Sequence, residues 1–401
     1  MLPNILLRAK IVLSAHIVGI FSRIISLLAQ KCITLPCQYT FTHDMNIDRL
    51  TSDAVKLLCQ LISIPRFSRE ETAAADMLQQ VMSTEYGFEV NREGNNLWCV
   101  HPDFQPCRST LLLNAHIDTV KPTAAWTRDP HEATIEDGVI YGLGSNDDGA
   151  SLVSLMQVFR VLSQKTLPYN LILALSAEEE VSGRNGMEHL LTVLPKIDVA
   201  LVGEPTGMHP AIAEKGLMVL DLVAHGKAGH AARNEGDNAI YHAMDDITWF
   251  RNYQFPKESP LLGPVKMSVT IVNAGTQHNV VPAECTFTVD VRSNECYSNE
   301  ELFSIINQHV KSEVKARSFR LSSSGIDINH PLVQRAVALG RKPFGSPTLS
   351  DQALMRFPSF KMGPGESPRS HTANEFVRVD EIREAISIYL QMLDVPQESI
   401  C

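Results

Sequence analysis

STLLLNAHIDTV, residues 109–120, is a continuous apolar run that closes on a histidine, an aspartate and a threonine. A half-exposed strand would alternate, so this run predicts a central strand of a sheet covered on both faces. Its polar end then lies at the carboxyl edge, where open α/β sheets gather functional groups. NLILALSAEEE (170–180) and VALVGEPT (199–206) repeat the pattern. Between the first two, Leu152, Leu155, Met156, Phe159 and Leu162 recur at helical spacing. Apolar strands alternating with such helices predict an α/β sheet. Upstream, residues 54–62 and 73–82 carry apolar positions at helical spacing.

The pattern changes between about residues 212 and 321. GLMVLDLVAHG alternates like a half-exposed strand. A helix over 238–250, strands near 265–272 and 284–291, a helix over 300–314 and a short strand over 318–321 follow. That β-α-β-β-α-β order predicts a small ferredoxin-like unit, inserted at 212–324 and splitting a larger domain into 45–211 and 325–396. A chain of 401 residues exceeds what one core usually holds, in keeping with two domains.

Hydrophobic residues make up 44% of the chain and charged residues 20%, ordinary for a globular protein. A formal charge of −10 provides no basic surface for nucleic acid. The eight cysteines form no CxxC pair or Cys/His cluster, which argues against a thiolate zinc site and for reduced thiols in the cytoplasm. Residues 1–44 differ from the rest: Arg8 and Lys10 precede an apolar run that Arg23 interrupts. Neither half reaches the roughly 20 apolar residues of a membrane span, and no clear small-residue cleavage site follows. The segment reads as an over-extended start, with Met45 opening the domain and no membrane partner.

Several polar residues stand where chemistry is expected. His116 and Asp118 lie two apart at a strand end and project to the same side. They fit a metal ligand with its orienting carboxylate or a hydrogen-bonded core histidine. Asp147 and Asp148 follow the glycine-rich YGLGSN and precede a helix. Alone, they read more simply as an acidic helix start that complements the dipole. Glu178, Glu179 and Glu180 repel one another unless a cation lies among them; one as ligand and its neighbour as base would supply that reason, a solvated loop being the alternative. Glu204 ends the third strand, and His371 sits in the polar loop SPRSHTANE. Imidazole and carboxylate donors without sulfur favour zinc or another divalent ion, and a spare carboxylate can bridge two ions about 3.5–4 Å apart.

In order along the chain, NAHIDTV, YGLGSNDDGAS, LSAEEEVSG, LVGEPT, GKAGHAAR, NVVPAECTFTVDVR and GPGESPRSHTANE resemble the zinc peptidase and deacylase family of acetylornithine deacetylase, succinyl-diaminopimelate desuccinylase, aminoacylase and glutamate carboxypeptidase. The similarity runs from Met45 to about Leu393. It implies a zinc-peptidase-like catalytic domain with a central mixed sheet, split by a lid and dimerisation domain. It further implies two Zn2+ per subunit, with Co2+ able to substitute. His116, Asp147 and Glu204 would hold one ion; Asp147, Glu180 and His371 the other, Asp147 bridging. Glu179 matches the general base and Asp118 the group steadying the first site. His230 matches a histidine that reaches a neighbouring subunit's active site and stabilises the oxyanion, implying a homodimer through the lid. Asn279 and Arg292 match lid residues that contact the substrate carboxylate, for which a guanidinium suits bidentate binding; an ordinary salt bridge is the other reading of Arg292. The implied substrate is a small N-acyl amino acid of arginine or lysine biosynthesis.

The sequence departs from the family at Asp148-Gly149-Ala150, where relatives often carry a lysine or other residue and then glycine. NDDG also resembles zinc aminopeptidases, so an aminopeptidase, dipeptidase or carboxypeptidase on the same scaffold is the alternative. Those aminopeptidases lack the lid stretch GKAGHAAR, which favours the deacylase. A non-catalytic binding protein would lack ligands or base, yet all five ligand positions and Glu179 are present.

Overall fold

In the computed structural model the described residues are 43–395. The predicted N-terminal extension, apart from His43 and Asp44, lies outside them. The long apolar runs form a mixed sheet. Its order is Asn91–Glu93, Asn96–Val100, Asn170–Ser176, Thr110–His116, Val199–Val202, Ser359–Lys361, Ala211–Glu214 and Ser324–Gly325, with Phe344–Ser346 also paired to Ala211–Glu214. The four strands from Asn170–Ser176 through Ser359–Lys361 run parallel; those outside them bring antiparallel pairs.

Every residue of Thr110–His116 and Asn170–Ser176 is buried, because helices cover both faces. Leu111 and Leu113 pack with Leu58, Met156, Phe159, Ile386 and Tyr389, from helices His43–Ile62, Ala150–Leu162 and Val379–Leu393. Leu112 points the other way, toward Ile172, Val202, Met187 and Leu190. Burying a leucine side chain this fully contributes about 1.5–3 kcal/mol, so these strands anchor whatever their ends carry. The first strand stops at His116, four residues before the end of its apolar run. From there the chain bends back, and the Thr119 N–H donates to the Arg66 carbonyl (2.9 Å).

A second, antiparallel sheet has the order Lys266–Ala274, Glu284–Arg292, Met218–His225 and Glu313–Ala316. Helices Ala239–Asn252 and Asn299–His309 complete a β-α-β-β-α-β sequence. Leu220, Leu222, Phe250, Phe287, Leu302 and Ile306 form its own hydrophobic cluster. The final helix and strand differ from expectation: the helix ends at His309 and the strand spans Glu313–Ala316, not 318–321. Asp246 is the reason. Its carboxylate accepts the N–H groups of Lys311 (3.1 Å) and Ser312 (2.8 Å) and the Ser312 hydroxyl (2.5 Å), turning the chain out of the helix early. A two-residue ribbon, Gly229–His230 with Val280–Val281, was not expected either. Among the described residues no helix is long and apolar enough to cross a membrane.

Candidate metal centre

Strand register brings the first groups together. His116 lies opposite Ser176, and Asn114 opposite Val202, so the turn after Ser176 and Glu204 after Val202 both leave the sheet beside His116. The His116 ring is buried. Its Nδ1 lies 3.0 Å from the Asp118 carbonyl oxygen, which can only accept, so Nδ1 carries a proton and Nε2 faces the cluster. Nε2 is 3.0 Å from Asp147 Oδ1 and 4.0 Å from Glu179 Oε2.

Asp118 ties two strand ends to each other. Its buried carboxylate accepts the N–H groups of Glu179 (3.0 Å) and Glu180 (3.1 Å) and the Ser68 hydroxyl (2.7 Å). Of the three adjacent glutamates, Glu178 turns away: it adopts a left-handed conformation (φ 57°) and takes a hydrogen bond from Asn185 (3.0 Å). Glu179 and Glu180 then share a short 3-10 turn facing His116 and His371.

Asp147 sits in a loop held from beneath. The Glu375 carboxylate accepts the N–H groups of Gly144 (2.9 Å), Asn146 (2.8 Å) and Asp147 (2.9 Å). Gly144 is left-handed (φ 71°), and a Cβ there would collide with the Arg66 guanidinium, so only glycine fits. Asn146 joins this loop to that of His371, accepting from the Glu366 N–H (3.0 Å) and donating toward Ser370 Oγ (3.2 Å). His371 Nε2 lies 2.9 Å from Glu180 Oε2 and 3.7 Å from Asp147 Oδ2. Asp148 is buried behind, joined to Asp147 by a cis peptide bond, and its Oδ2 accepts the His116 N–H (3.3 Å).

Donor atoms of His116, Asp147 and Glu180 all lie within 4.8 Å of one another. The electrostatics fit a cation among them. Burial pushes Glu204 up to about 8; Lys361 opposes the rise and Asp147 adds to it. Glu179 is raised well above its ordinary range by burial, then by Glu204 and Glu180, against the pull of His116. Burial disfavours charge on Asp147 too, yet the hydrogen bond and charge of His116 hold it below the usual carboxylate range. The hydrogen bond to Glu180 lifts His371 to about 9. Carboxylates this crowded and dry gain most from a divalent ion, and imidazole with carboxylate oxygen suits zinc.

The inserted sheet's three expected residues stand apart. His230 is exposed on the short ribbon, its Nδ1 accepting the Ala232 N–H (3.1 Å). Asn279 is exposed, and its carbonyl accepts from the Ala231 N–H (3.0 Å). Arg292 ends its strand paired with Asp290 (2.8 and 3.1 Å). None of the three forms a hydrogen bond or ion pair with the cluster among the described residues. Three buried residues around the cluster were not singled out by sequence: Glu375, Arg66 and Lys361. Glu375 had a signal, as the acid closing SPRSHTANE.

A model of peptidase family M20/M25/M40 matches residues 112–395. The chain belongs to this family. Among curated M20-type relatives, succinyl-diaminopimelate desuccinylase of Cereibacter sphaeroides is 29% identical over 376 residues, covering 85% of this chain and 98% of that one. The Corynebacterium glutamicum protein of the same name is 26% identical over 371 residues, covering 86% and 97%. A solved tripeptidase from Staphylococcus aureus superposes with TM-score 0.69 at 20% identity, over 86% of this chain and 97% of its own. A Bacillus subtilis dinuclear metal-binding peptidase of the M20 family gives 0.67 at 17%, over 86% and 97%. These structures share the α/β fold with its mixed central sheet.

Proposed function

We propose that this M20 chain is a two-metal amidohydrolase that releases the acyl group from a small N-acyl amino acid. The observation that carries the reading is the convergence of His116, Asp147, Glu180 and His371 at the carboxyl ends of parallel strands, with Glu179 4.0 Å from His116. The substrate class is supported by the curated relatives, which are named as desuccinylases. Arginine or lysine biosynthesis in the cytoplasm is the setting that fits.

One ion, zinc with cobalt able to replace it, would take His116, Asp147 and Glu204; the other would take Asp147, Glu180 and His371. Ions held by these residues would supply polarisation of the amide carbonyl and acidification of a water. Glu179 would accept that water's proton as its oxygen bonds to the acyl carbon, and hand the proton to the amine nitrogen as the acyl C–N bond breaks. Asp118 keeps Glu179 and Glu180 in register with His116. Arg292 and Asn279 receive the substrate carboxylate, and His230 donates to the oxyanion. In this reading the donor His230 comes from a second copy; its exposure, with no tie to the cluster among the described residues, supports that.

The inserted unit, 212–324, serves as lid and dimerisation surface, between the 45–211 and 325–396 portions of the catalytic domain. Its edge strand exposes Ile271 and Val272, and the neighbouring helix exposes Tyr241 and Met244. An exposed apolar edge is a template for pairing with another chain.

The test is a panel of N-acetyl and N-succinyl amino acids beside unblocked dipeptides, assayed with zinc. Hydrolysis of the acylated compounds supports the reading. Cleavage of dipeptides alone would replace it with a peptidase.

A further inference from the structure

Arg66 follows Pro65 in the segment that leaves helix His43–Ile62, and its side chain is buried. Residues 66–68 lie along the chain just beyond His116. The Arg66 carbonyl accepts the Thr119 N–H (2.9 Å), the Ser68 N–H donates to the Thr119 carbonyl (3.3 Å), and the Ser68 hydroxyl donates to Asp118 Oδ2 (2.7 Å). From this anchored backbone the guanidinium reaches two ways. Nη1 donates to the Ile117 carbonyl and lies 3.4 Å from the Asp118 carbonyl oxygen, which also accepts from His116 Nδ1 (3.0 Å). Nη2 donates to the Gly144 carbonyl (2.9 Å). That same carbonyl accepts the Gly149 N–H (3.0 Å), the bond that closes the Ser145–Gly149 turn around Asp147. One planar group therefore touches the acceptor that sets the His116 ring and the acceptor that closes the Asp147 turn. Across the site, His116 Nε2 and Asp147 Oδ1 stand 3.0 Å apart.

Stability alone does not account for a guanidinium here. Among the described residues Arg66 makes no ion pair, and its Nε has no partner. A buried charge without a counter-ion destabilises a fold unless its donors are used. Those of Arg66 are used on backbone carbonyls of two segments, 51 to 52 and 78 residues away. The turn is shaped to admit the group: a Cβ at Gly144 would strike Nη2, and one at Gly149 would come within 3.3 Å of it. We infer that Arg66 is a positioning residue of the metal centre, its fork fixing the spacing between His116 and Asp147. This rests on the two-metal reading above. The planar fork matters here more than the charge, because its two nitrogens serve acceptors on different segments.

The experiment measures zinc affinity of metal-stripped full-length protein by competition with a chromophoric chelator, beside thermal unfolding of the same metal-free samples. Arg66→Met keeps an unbranched side chain and removes the donors; its zinc affinity is expected to fall about 10–100-fold. Arg66→Lys keeps the charge, but one ammonium cannot serve both segments, so its affinity is expected between those of Arg66→Met and wild type. Leu162→Ala is the comparison. Leu162 is buried at the far end of helix Ala150–Leu162, about 18 Å along the axis from Ala150. Its truncation should lower the unfolding temperature yet leave zinc affinity as in wild type. Wild-type affinity in folded Arg66→Met or in Arg66→Lys would overturn the inference. So would an equal loss in Leu162→Ala, which would reduce the effect to general stability. If Arg66→Met does not fold, Arg66→Lys decides. A wild-type chain that takes up no zinc would instead refute the metal reading itself.

Discussion

The strand ends of the central sheet and the ribbon of the inserted sheet hold the two halves of the proposed machinery in opposite ways. At the strand ends, side chains are buried and tied twice over: Asp118 grips the Glu179–Glu180 turn, and Glu375 grips the Asp147 loop. On the ribbon, His230 and Asn279 lie exposed with no tie to the cluster. Ligands that must hold donor atoms within a few ångströms belong on rigid elements. Groups that meet a substrate as the lid or a partner arrives need freedom before they need order. The contrast implies that variants of the first region change metal binding or chemistry outright, whereas variants of the second leave the metals in place.

The sharpest break in that comparison is Glu179→Gln. The amide is isosteric but cannot take a proton. Turnover should fall by about 10³-fold or more, while zinc content by elemental analysis stays at the wild-type value. A rapid Gln variant would remove Glu179 from the proton transfer. His230→Ala comes next, at about 10²-fold in kcat, again with zinc retained. Mixing His230→Ala with Glu179→Ala chains should restore part of the activity, since a hybrid dimer contains one intact site. No recovery despite demonstrated subunit exchange would place His230 in its own chain's chemistry or outside it.

Asp118→Asn probes the rigid half. Asn offers one acceptor where the carboxylate offers two, so the N–H groups of Glu179 and Glu180 can no longer both be served as now. Zinc affinity should drop roughly 10–100-fold, read by competition with a chromophoric chelator. If affinity held and only turnover fell, Asp118 would be acting on the chemistry instead of the site's geometry.

Much of this rigid half was legible in the chain because apolar runs ending in polar residues announce both burial and location. His116 and Glu204 could be placed at strand ends from pattern alone. Which two of the three glutamates face inward could not, since the left-handed turn at Glu178 depends on Asn185 and on packing. Arg66 and Lys361 gave no local sign: a lone basic residue beside a proline, or at the end of a three-residue strand, reads as solvent-exposed. Their partners are distant in sequence, Gly144 and Ile117 for Arg66, Glu214 and Thr348 for Lys361. Asp246 likewise ended the helix at His309 by accepting the Lys311 N–H, 65 residues further along the chain. Local periodicity cannot report a boundary set by a remote carboxylate.

The smallest expected effect belongs to Arg292, and it sharpens the flexible side of the comparison. Its guanidinium now engages Asp290 through two nitrogens, so receiving a substrate carboxylate means sharing or leaving that pair. Arg292→Lys keeps the charge but loses the planar fork. Losing one charge-assisted hydrogen bond to a substrate is worth about 1–2 kcal/mol, which should raise KM roughly tenfold with kcat nearly unchanged. Steady-state kinetics on the best acylated substrate reads this directly. A fall in kcat at constant KM would mean that Arg292 acts only as the reaction proceeds, and that this corner of the inserted sheet takes part in the chemistry just like the strand ends.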